Sequence, residues 1–245
     1  MTTASNPIAP DHIDRHNMTM IACAGPILIL GPPGSGKGTQ SAKISSCWNI
    51  PRIATGDLLR VNVLQGTHLG KVADEFIRSG QLVPDDLISK MIAERLEKSD
   101  TNAGFVLDGF PRTVAQAIWL DNFLDRQSQL LQPLILNLQV DIDCLVSRIT
   151  GRTVCRLCGT TYHREFCPPR SPGLCDLDGT PLEQRTDDVP QVLRERLKVY
   201  QAQTQPIIER YRHSSYFFPI DGDRPVQTLT ETILNTIRHS RGLQN

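Results

Sequence analysis

The apolar run at residues 26–30, closed by Gly31 and followed at once by Gly34-Ser35-Gly36-Lys37-Gly38-Thr39-Gln40, constrains this chain more than any other segment. A buried strand that ends in a glycine-rich turn and opens a helix aims several backbone N–H groups and the positive helix end at one point, which suits a polyphosphate. Lys37 adds a mobile cation, and Thr39 a hydroxyl near the expected Mg2+. The hydroxyl comes one residue late, because Gly38 follows the lysine where Ser or Thr is usual.

The chain has 245 residues, which suits one α/β domain with insertions better than two independent domains. Acidic and basic residues balance at 26 each. With no net charge and no long basic run, neither a nucleic-acid nor a membrane partner is expected. No uninterrupted apolar stretch approaches the ~20 residues of a membrane helix. Ala22-Cys23-Ala24 imitates a signal-peptide cleavage site, but Asp11 and Asp14 precede it with only Arg15, and residues 27–30 are needed as the strand that feeds the loop. Residues 1–24 read as a polar extension without transit-peptide character, and a cytoplasmic monomer is expected. The sequence shows no internal repeat or low-complexity tract.

Strand and helix patterns alternate after the loop. The helix opened by the loop is expected to continue over 40–47, with further helices over 57–64, 69–79 (closed by Gly80), 84–98, 113–124 (capped by Thr113) and 142–149, and strands over 50–54, 104–109 and 134–140. Cys, Pro and Gly then concentrate over 151–188, where helical periodicity disappears; helix resumes at Val189, before a strand over 216–220 and a last helix. The economical architecture is α/β, a doubly wound parallel sheet with two inserted lobes.

Within the Cys-rich stretch, Cys155-x2-Cys158 and Cys175-x2-Asp178 form two knuckles at the spacing of a structural Zn2+ site. Three thiolates and one carboxylate close a tetrahedron and leave no position for an activated water, so the metal would hold the lobe and take no part in chemistry. A disulfide or free thiols are the competing readings. Cys167 competes with Asp178 as fourth ligand, but Pro168-Pro169 disfavour a knuckle there. Cys23, Cys47 and Cys144 read as buried, inert thiols, and His163 as a surface or nucleotide-facing residue.

Asp108 lies at the carboxyl end of the strand over 104–109, where it can organise Mg2+ through water, and Arg112 follows into the same crevice. Arg148 and Arg152 stand at the entrance to the Cys-rich stretch, Arg185 at its exit and Arg196 beyond. Any one of these is ordinarily a solvated charge; their placement at strand ends and lobe boundaries suggests a clamp for phosphoryl transfer between two nucleotides, which needs charge neutralisation and alignment more than a general base.

The chain closely resembles the adenylate kinase family, of the long type with a zinc-binding lid, from about residue 27 to the end. The resemblance is carried by the segment from Gly31 to Gln40, by Thr55-Gly56-Asp57-Leu58-Leu59-Arg60, Gly80-Gln81-Leu82-Val83-Pro84-Asp85, Asp108-Gly109-Phe110-Pro111-Arg112-Thr113, Arg148-Ile149-Thr150-Gly151-Arg152 and Gln184-Arg185-Thr186-Asp187-Asp188. It implies a P-loop core (25–53, 84–150 and 189–245), a helical NMP-binding lobe at 54–83 and a zinc-held lid at 151–188. By similarity, Gly34, Ser35, Gly36, Lys37, Gly38, Thr39, Arg152, Thr161, Tyr162 and Arg224 would contact ATP. Thr55, Arg60, Gln81, Leu82, Val83, Gly109, Phe110, Pro111, Arg112 and Gln116 would hold AMP. Arg185 and Arg196 would reach the AMP side or the phosphoryl group, and Lys37, Arg112, Arg148, Arg152, Arg185 and Arg196 form the catalytic set. The resemblance implies reversible transfer from ATP to AMP giving two ADP, with Mg2+ and a structural Zn2+.

Arg52 and Ala54 depart from the usual residues before Thr55, as do Thr153 after the lid's Gly-Arg and Cys167 in place of a common asparagine. A relative using GTP or another monophosphate is the competing enzyme. A P-loop switch is disfavoured because the chain has no Asn-Lys pair, and a zinc-ribbon nucleic-acid module because Asp176, Asp178, Asp187 and Asp188 interrupt the lobe.

Overall fold

The first strand, β1 (Gly25–Leu30), is buried at every residue, as an apolar run must be when helices cover both faces of a parallel sheet. In the computed structural model, which describes residues 24–127 and 130–243, it is the central strand of five. The others are β2 (Arg52–Ala54), β3 (Gly104–Asp108), β4 (Leu134–Gln139) and β8 (Phe217–Asp221), in the order β2-β3-β1-β4-β8 with every pairing parallel. Alternation along β1 divides the core. Leu28 and Leu30 pack with Ile53, Leu107, Phe110 and Leu120 on one face, whereas Ile27 and Ile29 pack with Val106, Leu136, Ile233 and Ile237 on the other.

Helices α1 (Lys37–Trp48), α2 (Thr55–Leu64), α3 (His68–Ser79), α4 (Asp85–Leu96), α5 (Val114–Asp125) and α6 (Ile142–Thr150) follow in sequence. A three-stranded antiparallel sheet comes next, with β5 (Arg152–Cys155) between β6 (Thr161–His163) and β7 (Leu182–Glu183). Then come α7 (Pro190–Val199), a π-helical segment (Tyr200–Thr204), α8 (Gln205–Tyr211) and, after β8, α9 (Val226–Arg241). No described helix is long and apolar enough to cross a membrane.

Local chemistry sets the element ends. Thr113 accepts from the Gln116 backbone N–H and caps α5, and Gly80, at φ 76°, ends α3 in the left-handed conformation. α1 starts at Lys37, as expected of a loop that opens a helix, because Gly36 turns the chain directly into it. α4 stops at Leu96, two residues short of expectation, where the Thr101 hydroxyl donates to the carbonyls of Leu96 and Lys98 at 2.7 and 2.6 Å. β2 begins only at Arg52, since Pro51 has no N–H to give the sheet.

Three expectations are corrected. Cys47 is exposed and Cys144 half-buried, because each falls on the outward side of its helix; Cys23 lies outside the described residues. Ala24, assigned to the extension, is fully buried, and its carbonyl accepts from Arg241 Nε at 2.8 Å, so the core begins one residue earlier. The third concerns repetition. Cys155-Arg-Leu-Cys158-Gly-Thr160 and Cys175-Asp-Leu-Asp178-Gly-Thr180 fold as the same turn, with the first-residue N–H donating to the threonine carbonyl at 2.9 Å in each.

α2 and α3 meet at Gly70, where a Cβ would stand 2.0 Å from the Asn62 carbonyl oxygen. The backbones touch, and neither can yield as a side chain would. Gly70→Ala is therefore expected to lower unfolding stability by about 1–3 kcal/mol, measured by urea denaturation at equal m-value.

Candidate active site

The carboxyl ends of the parallel strands open into a cleft of about 560 Å3, the position at which doubly wound sheets bind ligands. On one side the loop between β1 and α1 lines it, with Gly34, Ser35, Gly36, Lys37, Gly38 and Thr39. Across from the loop stand Thr55, Arg60, Gln81, Leu82, Val83, Gly109, Pro111 and Gln116, and the wall is completed by Arg112, Arg148, Arg152, Thr161, Tyr162, Arg185, Arg196 and Arg224. Of the residues singled out in the sequence for nucleotide contact, Phe110 does not line the cleft. It is fully buried in the core, edge-on to Trp119 with ring centres 5.9 Å apart.

Lys37 folds back onto its own loop, donating from Nζ to the carbonyls of Gly31 and Pro32 at 2.7 and 2.8 Å. Burial drives its pKa down to about 7; Asp108 opposes the shift, while Arg112, Arg196 and Arg152 add to it. Asp108, at the end of β3, accepts from Ser41 Oγ at 3.1 Å and from Arg52 Nη2 at 2.9 Å, both through Oδ2. Its Oδ1 has no protein donor among the described residues, so Asp108 can still hold a metal-bound water. Gly38 lies over this pair: a Cβ there would come 3.3 Å from Arg52 Nη2 and 3.6 Å from Asp108 Oδ2. The extra glycine of the loop thus leaves room for the charged groups beneath it.

Adjacent carboxylates hold the arginines. Asp188, whose side chain is fully buried, takes a bidentate contact from Arg152 and lies 3.6 Å from Arg196. Asp187 takes two bonds from Arg185, at 2.9 and 2.8 Å, and one from Arg196 at 3.0 Å. Burial pushes the Asp187 carboxyl up, but Arg185 and Arg196 outweigh it and hold the group well below the usual carboxylate range. Arg196 is lowered to about 10, by burial first, with Asp187 opposing and Arg152, Arg185 and Arg112 adding to it; it stays cationic at neutral pH. That Asp187 and Asp188 hold the arginines was missed in the sequence; their adjacency to Arg185 was the available signal.

Arg112 is fixed from three directions. Its N–H donates to Gln116 Oε1 at 2.7 Å, its Nε to the Gly109 carbonyl at 2.8 Å, and its carbonyl accepts from Thr204 Oγ1 at 2.9 Å. Thr204 ends the π-helical segment, a distortion often found at functional sites. Gln116, which is 2% exposed, also donates to Asp85 Oδ1 at 2.7 Å, leaving one N–H and one lone pair of its amide uncommitted. Thr55 Oγ1 donates to the Gly109 carbonyl at 2.9 Å, and Arg148 Nη1 to that of Gly222 at 2.9 Å. Arg224 is exposed and bonds Asp221 at 3.2 Å.

Tyr162 points its hydroxyl away from the cleft, accepting from the Asp176 N–H at 2.8 Å beside Cys175 Sγ. Only the rest of the side chain is left to line the wall. Phe166, which sequence reasoning missed, stacks on His163 at 4.4 Å and joins the lining. Isolated aromatic residues in a loop carry no periodic signal.

The ligand atoms of Cys155, Cys158, Cys175 and Asp178 all lie within 4.8 Å of one another, so these four can hold a metal ion. Cys158 Sγ and Cys175 Sγ are 3.5 Å apart, and Cys155 Sγ is 3.3 Å from an Asp178 oxygen. These separations approach the edge of about 3.8 Å of a tetrahedron with metal–sulfur bonds near 2.3 Å. Cys167 is outside this group and exposed; it pairs with His163 through backbone bonds.

A glycine loop after the central strand, a half-buried lysine within it and arginines gathered opposite define an enzyme of phosphoryl transfer in the P-loop class. The adenylate kinase family model matches residues 29–216. The adenylate kinase of Thermoanaerobacter sp. (strain X514) is 46% identical over 207 residues, covering 84% of this chain and 95% of that relative. That of Caldanaerobacter subterraneus subsp. tengcongensis is 42% identical over 215 residues (88% and 97%), and that of Clostridium beijerinckii 44% over 216 residues (88% and 99%). The chain belongs to the adenylate kinase family.

With a pKa near 7, Lys37 is mostly neutral at pH 8 when no ligand is bound, and a polyphosphate beside it restores the cation. ATP binding at pH 8 is expected to take up close to one proton, and far less at pH 6. Calorimetry in buffers of different ionisation enthalpy measures this, and Lys37→Met should abolish the uptake.

Proposed function

We propose that this chain catalyses reversible transfer of the terminal phosphoryl group of ATP to AMP, giving two ADP and so keeping the adenine nucleotides in balance. The observation that carries this reading is that one continuous cleft holds both the phosphate loop and the Thr55, Arg60 and Gln116 wall, with Arg112, Arg152, Arg185 and Arg196 between them. Two anionic substrates meet there, and the acceptor is already a phosphate, so no general base is required.

Placement in the cleft supports the following roles. Backbone N–H groups over 34–39 cradle the ATP phosphates, Lys37 leaves its loop carbonyls to follow the phosphoryl group, and Arg148, Arg152, Thr161, the Tyr162 side-chain face and Arg224 complete the donor side. Arg60 and Arg112 take the AMP phosphate, while Thr55, the backbone over 81–83 and the uncommitted groups of Gln116 read the base. Arg185 and Arg196, positioned by Asp187, neutralise charge in the transition state. Thr39 and Asp108 Oδ1 would hold Mg2+, which accompanies ATP and supplies charge neutralisation at its phosphates. The helical pair over 54–83 serves as the AMP lobe and residues 151–188 as a lid on the core; closure excludes water that would otherwise hydrolyse ATP.

The metal of the lid is Zn2+, bound by Cys155, Cys158, Cys175 and Asp178, and its role is structural: the lid's own core is three buried residues, Cys155, Tyr162 and Cys175. Ligating thiols, with Cys47 and Cys144 also unpaired, suit a reducing compartment, in keeping with a cytoplasmic enzyme acting as a monomer.

A panel of nucleoside triphosphates against monophosphates tests the reading: ADP formation is expected to require both ATP and AMP, and none with that pair overturns it. Elemental analysis of protein purified without chelator should give one zinc per chain. Cys175→Ser is expected to lose the metal and to expose the segment over 151–188 to proteolysis while the core stays folded.

A further inference from the structure

A chain of alternating charges runs beneath the phosphate loop, and the transfer described above makes no use of its middle link. Arg52 donates from Nε to Ser41 Oγ at 2.8 Å, and its Nη2 lies 2.9 Å from Asp108 Oδ2 and 3.0 Å from Asp57 Oδ2. Asp57 turns its other oxygen to Arg60 Nη2 at 2.5 Å. The sequence Arg60, Asp57, Arg52, Asp108 therefore joins α2, which carries the AMP-side arginine, to the carboxyl end of β3. Two cations and two anions balance. Asp57 depends on both neighbours: burial pushes its carboxyl up, and Arg60, then Arg52, bring it below its ordinary value.

A nitrogen shared by two carboxylates responds to the needs of either. When a phosphate engages Arg60, Asp57 loses part of its counter-charge and draws more strongly on Arg52. Asp108 then carries less compensated negative charge, which favours a divalent cation beside it. In the other direction, a cation near Asp108 repels Arg52 toward Asp57 and releases Arg60 to a phosphate. Linkage requires the two effects to be equal.

We propose that Arg52 is a positioning residue that couples the two halves of the cleft, so that an occupied AMP site tightens divalent-cation binding on the ATP side. The inference rests on the assignments of Arg60 to AMP and Asp108 to Mg2+ made above.

The test uses the full chain with Mn2+ as the metal probe, read by electron paramagnetic resonance in the presence of a non-hydrolysable ATP analogue, with and without saturating AMP; calorimetry follows AMP binding separately. In the unmodified protein AMP is expected to tighten Mn2+ binding about five-fold or more. Arg52→Gln should make Mn2+ affinity indifferent to AMP, and Arg52→Lys, a point charge without the planar fork, should restore part of the response. Asp57→Asn cuts the chain at a half-exposed residue and should also remove the response, with circular dichroism confirming that each variant is folded. If AMP binds but leaves Mn2+ affinity unchanged, or if Arg52→Gln responds like the unmodified protein, the coupling is refuted while the enzymatic reading stands. Failure of AMP to bind at all overturns both.

Discussion

Gathering cations around a cleft before any phosphate arrives is electrostatically unfavourable, and the rest of the structure is arranged around that fact. Arg60, Arg112, Arg152, Arg185 and Arg196 line one cavity and repel one another. A buried cation without a partner is costly, and carboxylates stand beside four of these five: Asp57 at Arg60, Asp188 at Arg152, and Asp187 at Arg185 and Arg196, while Arg112 is held by the Gly109 carbonyl. These three carboxylates hold their arginines by ion pairs within the lining of the cleft. Anionic substrates would then meet arginines already held in position, which is what preorganisation requires.

The sheet makes this arrangement possible. Because all five strands run parallel, their carboxyl ends open on the same side, and segments distant in sequence deliver Lys37, Arg52, Asp108 and Arg112 to one floor. The central strand is buried on both faces, so the loop that follows it has a rigid base. Gly38 shows how tightly loop and floor are fitted, since even a β-carbon there would press on Arg52. The Cys-rich segment works differently. It has little apolar core, and its two equivalent knuckles bring together four side chains that could hold a metal ion in place of such packing.

Much was legible in the chain. Apolar runs identified β1, β3 and β4, the last interrupted by Asn137, since strands covered on both faces are largely apolar, and Thr113 and Gly80 marked helix ends by cap chemistry that acts within a few residues. The knuckle spacing isolated Cys155, Cys158, Cys175 and Asp178 because metal ligation imposes local geometry. What could not be read was orientation. Tyr162 and Phe110 stand in motifs that suggest ligand contact, yet the hydroxyl of the first turns to Asp176 and the ring of the second enters the core. Cys47 sits on a helix whose apolar face is weakly marked, and it emerged on the outer side.

The sequence by itself determined the strand-loop-helix unit and each of the two knuckles, because each depends on residues within a few positions of one another. Tertiary structure alone decided which carboxylate meets which arginine. Asp108 and Arg52 are 56 residues apart and Asp188 and Arg152 36, and nothing local records those pairings. They arise when the parallel strands bring their ends together, and with them came the charge balance beneath the phosphate loop.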